Sequence, residues 1–301
     1  MEQHAPQVAV IMRTKNSAWV VGDTLAGLFS QVWTNFELLV VDSGSTDNTL
    51  DIVRKYPCRI IEIEPTAYVP GIVLNMAVAQ TKGDIVVFLN SDTVPQHPEA
   101  LGNLLAAFAD PRVQAAYARQ IPRPEAHAWV CRDYAISFPA TGTAPSWITL
   151  SLPMAAVRRG ILESRPFYTD SWASEDTEWG KWAKSQGFTI QYVPEAVAMH
   201  SHNYTLRQIY GRRFVEGEAD AFIYGHSDAA LRLPLTWAIS VLRDWLWCLK
   251  LGKFSEIFAA PARRAVYHWA HWKGYKLGQT RIKNGDTDLS KGQHVVLTRQ
   301  Q

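Results

Sequence analysis

Cysteine is nearly missing from this chain. Cys58, Cys131 and Cys248 are its only three, and they form no CxxC pair. Scattered cysteines disfavour a disulfide framework and a thiolate zinc site, and they suit a reducing compartment. Charge of one sign is missing too. The formal net charge is +2 over 301 residues, so no general basic field argues for nucleic acid. No apolar run reaches the length of a bilayer span. The first seven residues lack the charged and apolar regions of a secretory leader. Three phosphate and nucleophile motifs are also absent. There is no G-x-x-x-x-G-K-[ST] loop, no G-x-G-x-x-G after the first expected strand, and no G-x-S-x-G elbow. Those gaps exclude the P-loop, dinucleotide-binding and α/β-hydrolase versions of an α/β sheet.

What is present is a globular composition, 47% hydrophobic and 19% charged. Short apolar runs at 8–12, 36–41, 58–63, 85–89 and 113–118 read as buried strands. Between them lie amphipathic stretches. Ser17 is the expected N-cap of a helix running to about residue 31, and further helices are expected over 48–56, 72–80 and 98–109. Strands alternating with helices at this spacing predict an α/β fold, a mostly parallel Rossmann-like sheet with helices on both faces.

The run Ile85-Val86-Val87-Phe88-Leu89 drives one strand through the core and delivers Asn90, Ser91 and Asp92 to its exit. Another strand stops at Asp42-Ser43-Gly44-Ser45-Thr46-Asp47. Both acidic exits fall on one edge of such a sheet, the edge where ligands of open α/β sheets bind. A carboxylate with amide and hydroxyl oxygens beside it suits a hard divalent cation. The same residue types also suit a turn that merely caps a strand. With no glycine-rich cradle, a cation held by Asp92 is the natural way for this sheet to grip a phosphate.

From 120 to 153 the pattern loosens, and Pro122, Pro124, Pro139, Pro145 and Pro153 predict a loop-rich insertion. Ser174 then reads as an N-cap. Glu175, Asp176 and Glu178 occupy the first turn of the helix that follows, which Gly187 stops. Acids there complement the helix dipole whatever else they do. Trp179, Trp182 and Ala183 form the buried face of that helix. Phe188, Ile190 and Tyr192 alternate as a strand, and 194–199 leads to His200-Ser201-His202. A histidine at that exit is an available metal ligand, or a surface residue after a strand.

Four stretches together resemble an inverting family-2 glycosyltransferase with the GT-A, nucleotide-diphospho-sugar transferase fold. They are Val40-Val41-Asp42-Ser43-Gly44-Ser45-Thr46-Asp47, the segment 83–92, Ser174-Glu175-Asp176-Thr177-Glu178-Trp179, and His200-Ser201-His202-Asn203-Tyr204. They occur in the family's order over roughly residues 8–220. Tyr117-Ala118-Arg119-Gln120-Ile121-Pro122 and His202-Asn203-Tyr204 further resemble its rhamnosyltransferase-like branch.

The resemblance implies roles. Asp42 binds the uracil or thymine ring of a UDP- or dTDP-sugar, with Thr14 and Asn16 beside it and Asn90 and Ser91 nearby. Asp92 and His200 hold Mg2+ or Mn2+ on the diphosphate, with His202 as the backup ligand. Asp176 is the general base. Arg119, Gln120, Glu175 and Trp179 lie toward the acceptor or donor sugar. The family usually shows Asp-x-Asp where this chain has Asn90-Ser91-Asp92. The site is thus one negative charge short, which weakens metal binding or frees Asn90 for the ribose. The alternatives are a nucleotidyltransferase on a related fold and a non-catalytic glycan- or nucleotide-binding relative.

Three regions are expected: a catalytic domain over 1–220, an amphipathic helical extension over 221–283, and a polar disordered tail over 284–301. The extension mixes aromatic and basic residues. Its stretch 230–280 suits a membrane interface or a homo-oligomer contact. The expected setting is cytoplasmic, peripheral on the inner face of the cell membrane, with a saccharide or lipid-linked saccharide as acceptor.

Overall fold

The first apolar runs become strands β1 (Val8–Thr14) and β2 (Phe36–Asp42), with helix α1 (Val21–Phe29) between them, in a computed structural model that describes residues 7–225 and 233–300. Next come α2 (Thr49–Val53), β3 (Arg59–Glu62), α3 (Pro70–Ala79), β4 (Ile85–Asn90), the two-residue β5 (Val94–Pro95) and α4 (Ala100–Ala106). The chain continues through β6 (Val113–Ile121), α5 (Ala128–Ser137), β7 (Met154–Arg158), α6 (Arg159–Ser164), α7 (Glu175–Ser185) and β8 (Thr189–Met199). Four helices close it: α8 (Leu206–Tyr224), α9 (Leu233–Lys250), α10 (Ala260–Asn284) and α11 (Ser290–Gln300). Residues 1–6, 226–232 and 301 lie outside the described residues. With them lie the expected absence of a leader, part of the expected extension, and the last residue of the expected tail.

Two compact units result. The first takes residues up to 123, 134–168 and 176–200; the second takes 124–133, 169–175 and everything from 201 onward. The division expected at 220/221 falls inside α8.

The first unit holds one eight-stranded sheet in the order β3-β2-β1-β4-β7-β6-β8-β5. β3, β2, β1 and β4 run parallel. β7 inserts antiparallel between β4 and β6, so the sheet is mixed rather than uniformly parallel. Its core lies on both faces, as continuous apolar strands require. Ile85, Val87 and Leu89 of β4 point into one cluster, and Val86 and Phe88 into the other. The chain leaves β1 toward β2 on one side and returns to β4 on the other. The carboxyl ends of β1 and β4 therefore flank a topological switch point, where ligands of such sheets bind.

Two local expectations are corrected. Ser17 does not cap α1 with its side chain. Its carbonyl accepts from the Val20 and Val21 amides at 3.0 and 2.8 Å, while its hydroxyl turns to Ser91 Oγ at 2.8 Å. The insertion over 120–153 is not all loop. It contains α5, because Pro124 and Pro139 flank that helix instead of interrupting it.

The second unit is helical. α8 and α10 cross with their backbones nearly touching: a Cβ on Gly274 would sit 1.8 Å from the Phe214 carbonyl, and one on Gly217 would sit 2.0 Å from that of His271. Such closeness excludes a space that even a methyl group would need. Burial there is reinforced by ion pairs. Arg281 meets Glu218 at 2.6 Å, and Asp244 is held between Arg132 and Arg264 at 2.8 and 2.7 Å. Burial pushes the Glu218 carboxyl up, against the opposing pull of Arg281. The tail expected to be disordered carries α11, whose Val296 is buried and which packs on α8. A polar composition hid the one apolar face that this helix covers. Among the described residues no helix is long and apolar enough to cross a membrane.

Candidate active site

The switch point gathers side chains from five strands of the first unit. At the exit of β2, Asp42 is buried, and both its carboxylate oxygens are engaged by the loop that follows. Oδ2 accepts from the amides of Gly44 and Ser45 at 3.0 and 2.8 Å, and Oδ1 accepts from Ser45 Oγ at 2.5 Å. Gly44 has φ of 80°, and a Cβ there would meet Pro65 Cγ at 2.6 Å, so the loop demands glycine twice over. Asn16 has φ of 48°, which asparagine tolerates better than most residues. Its Oδ1 accepts from the Thr46 amide at 2.8 Å, pinning the β1 exit to the β2 exit. Thr14 is buried on the same rim, and its hydroxyl has no hydrogen-bond partner among the described residues. A buried orphan hydroxyl is a group that a ligand can satisfy.

At the exit of β4, Ser91 is spoken for. Its hydroxyl bonds Ser17 Oγ and its carbonyl accepts from Thr24 Oγ1 at 2.9 Å. Ser91 therefore braces the loop that presents Asp92. The guanidinium of Arg123 donates to the Asp92 carbonyl at 2.7 Å and lies over the Trp19 ring at 4.8 Å.

His200, just beyond β8, faces Asp92. Its Nε2 lies 3.7 Å from Asp92 Oδ1, beyond hydrogen-bond reach. Its Nδ1 lies 2.9 Å from Gln120 Oε1 and 3.1 Å from the Tyr134 hydroxyl. Gln120 in turn donates from Nε2 to Ser151 Oγ at 2.7 Å. An amide oxygen only accepts, so Nδ1 donates to it, and Nε2 is the ring nitrogen that faces Asp92. Two ligands about 2.1 Å from one ion and between a right angle and a straight line apart stand roughly 3.0–4.2 Å from each other. The Asp92–His200 spacing fits that window, and a carboxylate oxygen with an imidazole nitrogen suits Mn2+ better than the harder Mg2+.

Asp176 enters from the first turn of α7. Its Oδ1 accepts from the Thr177 amide at 2.7 Å and its Oδ2 from the Leu152 amide at 3.3 Å. The next carbonyl along, that of Pro153, accepts from the Asn90 amide at 3.0 Å. Three consecutive residues leading into β7 thus connect three parts of the rim. Ser151 reaches Gln120 and through it His200, Leu152 holds Asp176, and Pro153 holds Asn90.

Trp179, Arg119, Glu175 and His202 were also expected at the site. Trp179 is fully buried; it donates to the Arg165 carbonyl at 2.9 Å and packs on Phe167 and Trp182, so it belongs to the core. Arg119 precedes Gln120 on β6 and so points to the opposite face of the sheet from it. Glu175 belongs to the second unit and is buried there. His202 also belongs to the second unit, where it stacks on Tyr204 with ring centroids 4.9 Å apart. Glu178, beside Asp176 in sequence, is a structural acid. It pairs with Arg165 at 2.6 Å, and burial pushes its carboxyl up despite that cation.

Tyr134, Arg123 and the strip 151–153 were not anticipated from sequence. The signal for Gln120 was the resemblance over residues 117–122, which did not give this role. Tyr134 gave none, because its helix lay in a segment that read as loop.

Comparison with known proteins agrees with this geometry. Residues 9–143 match the family described as Glycosyl transferase family 2. The chain is 27% identical to the O-antigen chain rhamnosyltransferase RfbN of Salmonella typhimurium over 70% of its own length and 71% of that protein. It is 31% identical to the O-antigen chain rhamnosyltransferase WbaN of Salmonella anatum over 60% of its own length and 61% of that protein. Among solved structures, the mannosyltransferase PcManGT from Pyrobaculum calidifontis, in complex with GDP-Man and Mn2+, superposes with a TM-score of 0.59 at 22% identity, covering 94% of this chain and 88% of that one. Glucosyl-3-phosphoglycerate synthase from Mycobacterium tuberculosis, with Mn2+, UDP-Glc and phosphoglyceric acid, gives 0.55 at 22% identity over 74% of this chain and 82% of that one. These structural likenesses establish the GT-A fold, and the family match over residues 9–143 speaks for a glycosyltransferase over the nucleotidyltransferase and non-catalytic alternatives. Residues 9–143 carry a glycosyl transferase family 2 domain, the chain is similar to O-antigen rhamnosyltransferases of that kind, and it is a glycosyltransferase.

Proposed function

We propose that this glycosyltransferase is metal-dependent and inverting. It moves a sugar from a UDP- or dTDP-sugar, with dTDP-rhamnose the first donor to test, to a saccharide or lipid-linked saccharide in surface polysaccharide synthesis. It works in the cytoplasm, at the inner face of the cell membrane. The Salmonella relatives named as O-antigen rhamnosyltransferases support the sugar and the pathway class. The neighbours solved with nucleotide-sugars and Mn2+ support the donor class and the cation.

The observation that carries the reading is the pairing of Asp92 with a His200 whose tautomer Gln120 selects. These two residues would hold the cation, which when bound offsets the charge of the departing diphosphate. Asn90 stands where the family usually has an acid, and the reading gives its amide to the ribose. Thr14, Asn16 and the Asp42 loop take the nucleoside, with the unpartnered Thr14 hydroxyl as a contact that donor completes. Asp176, oriented by Leu152 and Thr177, takes the proton of the acceptor hydroxyl as that oxygen attacks the anomeric carbon. The carbon–oxygen bond to the diphosphate breaks on the opposite face, so configuration inverts and a nucleoside diphosphate leaves.

A thermal-shift panel tests the donor side. UDP or dTDP should raise the melting temperature with Mn2+ or Mg2+ and fail to do so with a chelator. Transfer from dTDP-rhamnose to a saccharide acceptor, followed by product stereochemistry, tests the rest. A retained anomeric configuration would refute inversion, and an equal shift in chelator would refute the metal.

A further inference from the structure

Helix α9 of the second unit presents an apolar stripe to solvent. Leu235, Ile239, Leu242, Leu246 and Leu249 are all exposed, between 40% and 63%. Their spacing of four, three, four and three residues keeps them on one face, roughly 21 Å long at the usual helical rise. Trp245 borders the stripe on one side. Arg243 and Lys250, both exposed, border it on the other.

The helix shows no exposed acid in return. Its only carboxylate, Asp244, is fully buried on the opposite side between Arg132 and Arg264. The apolar surface then continues past the helix end. Phe254 is 60% exposed and Phe258 88%, and the Trp245 indole donates to the Ile257 carbonyl at 2.9 Å, tying that segment to α9.

We infer that this face docks on an anionic lipid surface, with α9 lying in the plane of the interface. The charges choose the occupant. Cations beside an apolar stripe with no counter-acid complement anionic headgroups, and aromatic rings settle at headgroup depth. A second copy of the chain fits worse. Antiparallel pairing along the stripe brings Arg243 and Lys250 of one copy against those of the other. Parallel pairing leaves them facing Trp245 and Gly252, with no ion pair to fix the register. The stripe also spans only about two heptads, short of the roughly three to four that mark a coiled coil. Phe258, lying beyond the helix, would find no place in such a pair.

Flotation of the full chain with phosphatidylcholine vesicles, and with vesicles that also contain phosphatidylglycerol, tests the inference. The protein should float with the anionic vesicles at low salt, less at high salt, and little with the neutral ones. Leu242→Asp with Leu246→Asp should remove vesicle binding while leaving the UDP-induced thermal shift intact. Should that pair perturb folding, Arg243→Ser with Lys250→Ser, both fully on the surface, should weaken anionic-vesicle binding about tenfold or more. Equal flotation with neutral and anionic vesicles would overturn the inference. So would absence of flotation together with a dimer in sedimentation that the aspartate pair dissociates. Neither readout passes through the transfer site, so failure here leaves the donor and base assignments standing, and the reverse holds too.

Discussion

Gln120 Oε1 lies 2.9 Å from His200 Nδ1, and that contact decides which imidazole nitrogen is available to Asp92. It follows that Gln120→Leu weakens the candidate metal site without touching either ligand. Loss of such an outer partner typically costs 10–100-fold in metal affinity. Mn2+ titration by calorimetry should read that loss, and Gln120→Glu, which keeps an acceptor at the same place, should recover most of it. Unchanged affinity in the leucine variant would remove the tautomer argument.

Asp176→Asn keeps the size of the side chain and a carbonyl that accepts from Leu152, but it discards the proposed base. Turnover should fall roughly 10²–10⁴-fold. Donor binding, followed by the UDP-induced thermal shift, should stay as it was. Near-normal turnover would mean that another group takes the proton.

Gly274→Ala forces a methyl carbon to within 1.8 Å of the Phe214 carbonyl, a backbone atom that cannot swing aside. Overpacking of this kind usually costs about 1–3 kcal/mol and occasionally more. The melting temperature should drop by several degrees. Gly102→Ala, where the added carbon meets nothing within 4 Å, serves as the control and should not lower it.

His268 supplies a pH dependence. Its imidazole is lowered from 6.5 to about 4, first by burial and then by Arg264, Arg213 and His271, with Asp244 opposing. In the fold it stays neutral, and its Nε2 lies 3.0 Å from Ser240 Oγ. Below 6.5 the unfolded chain takes up a proton that the folded chain refuses until about 4, so stability falls as pH drops through that window. His268→Gln removes this contribution. The melting temperature of the variant relative to the parent should therefore improve steadily from pH 7 to pH 4.5, and parallel curves would show that His268 does not titrate as described.

Much of the first unit was legible because its strands are apolar without interruption and its helices are not. Val8, Val40 and Val87 sit in the core at the places that periodicity gives them, and Asp42 and Asp92 stand at the strand exits. Order in the sheet was less legible. That β7 runs antiparallel between β4 and β6 depends on pairings across the 120–153 insertion, which local pattern does not carry. Side-chain roles were least legible. Trp179 had a buried periodicity that the resemblance set aside, and the periodicity was right. Gln120 was placed near the sugar, while its amide is turned to His200. The tail misled because α11 needs only one apolar face, and polar residues around Val296 mask it.

The tripeptide 151–153 has a consequence for how variants combine. The candidate base Asp176, the backbone of Asn90 and the His200 imidazole all take their bearings from these adjacent backbone and side-chain atoms. An insertion or a slip of one position there would misalign all three groups together. Double substitutions across the rim should therefore depart from simple multiplication of their separate effects, even for pairs too distant to touch.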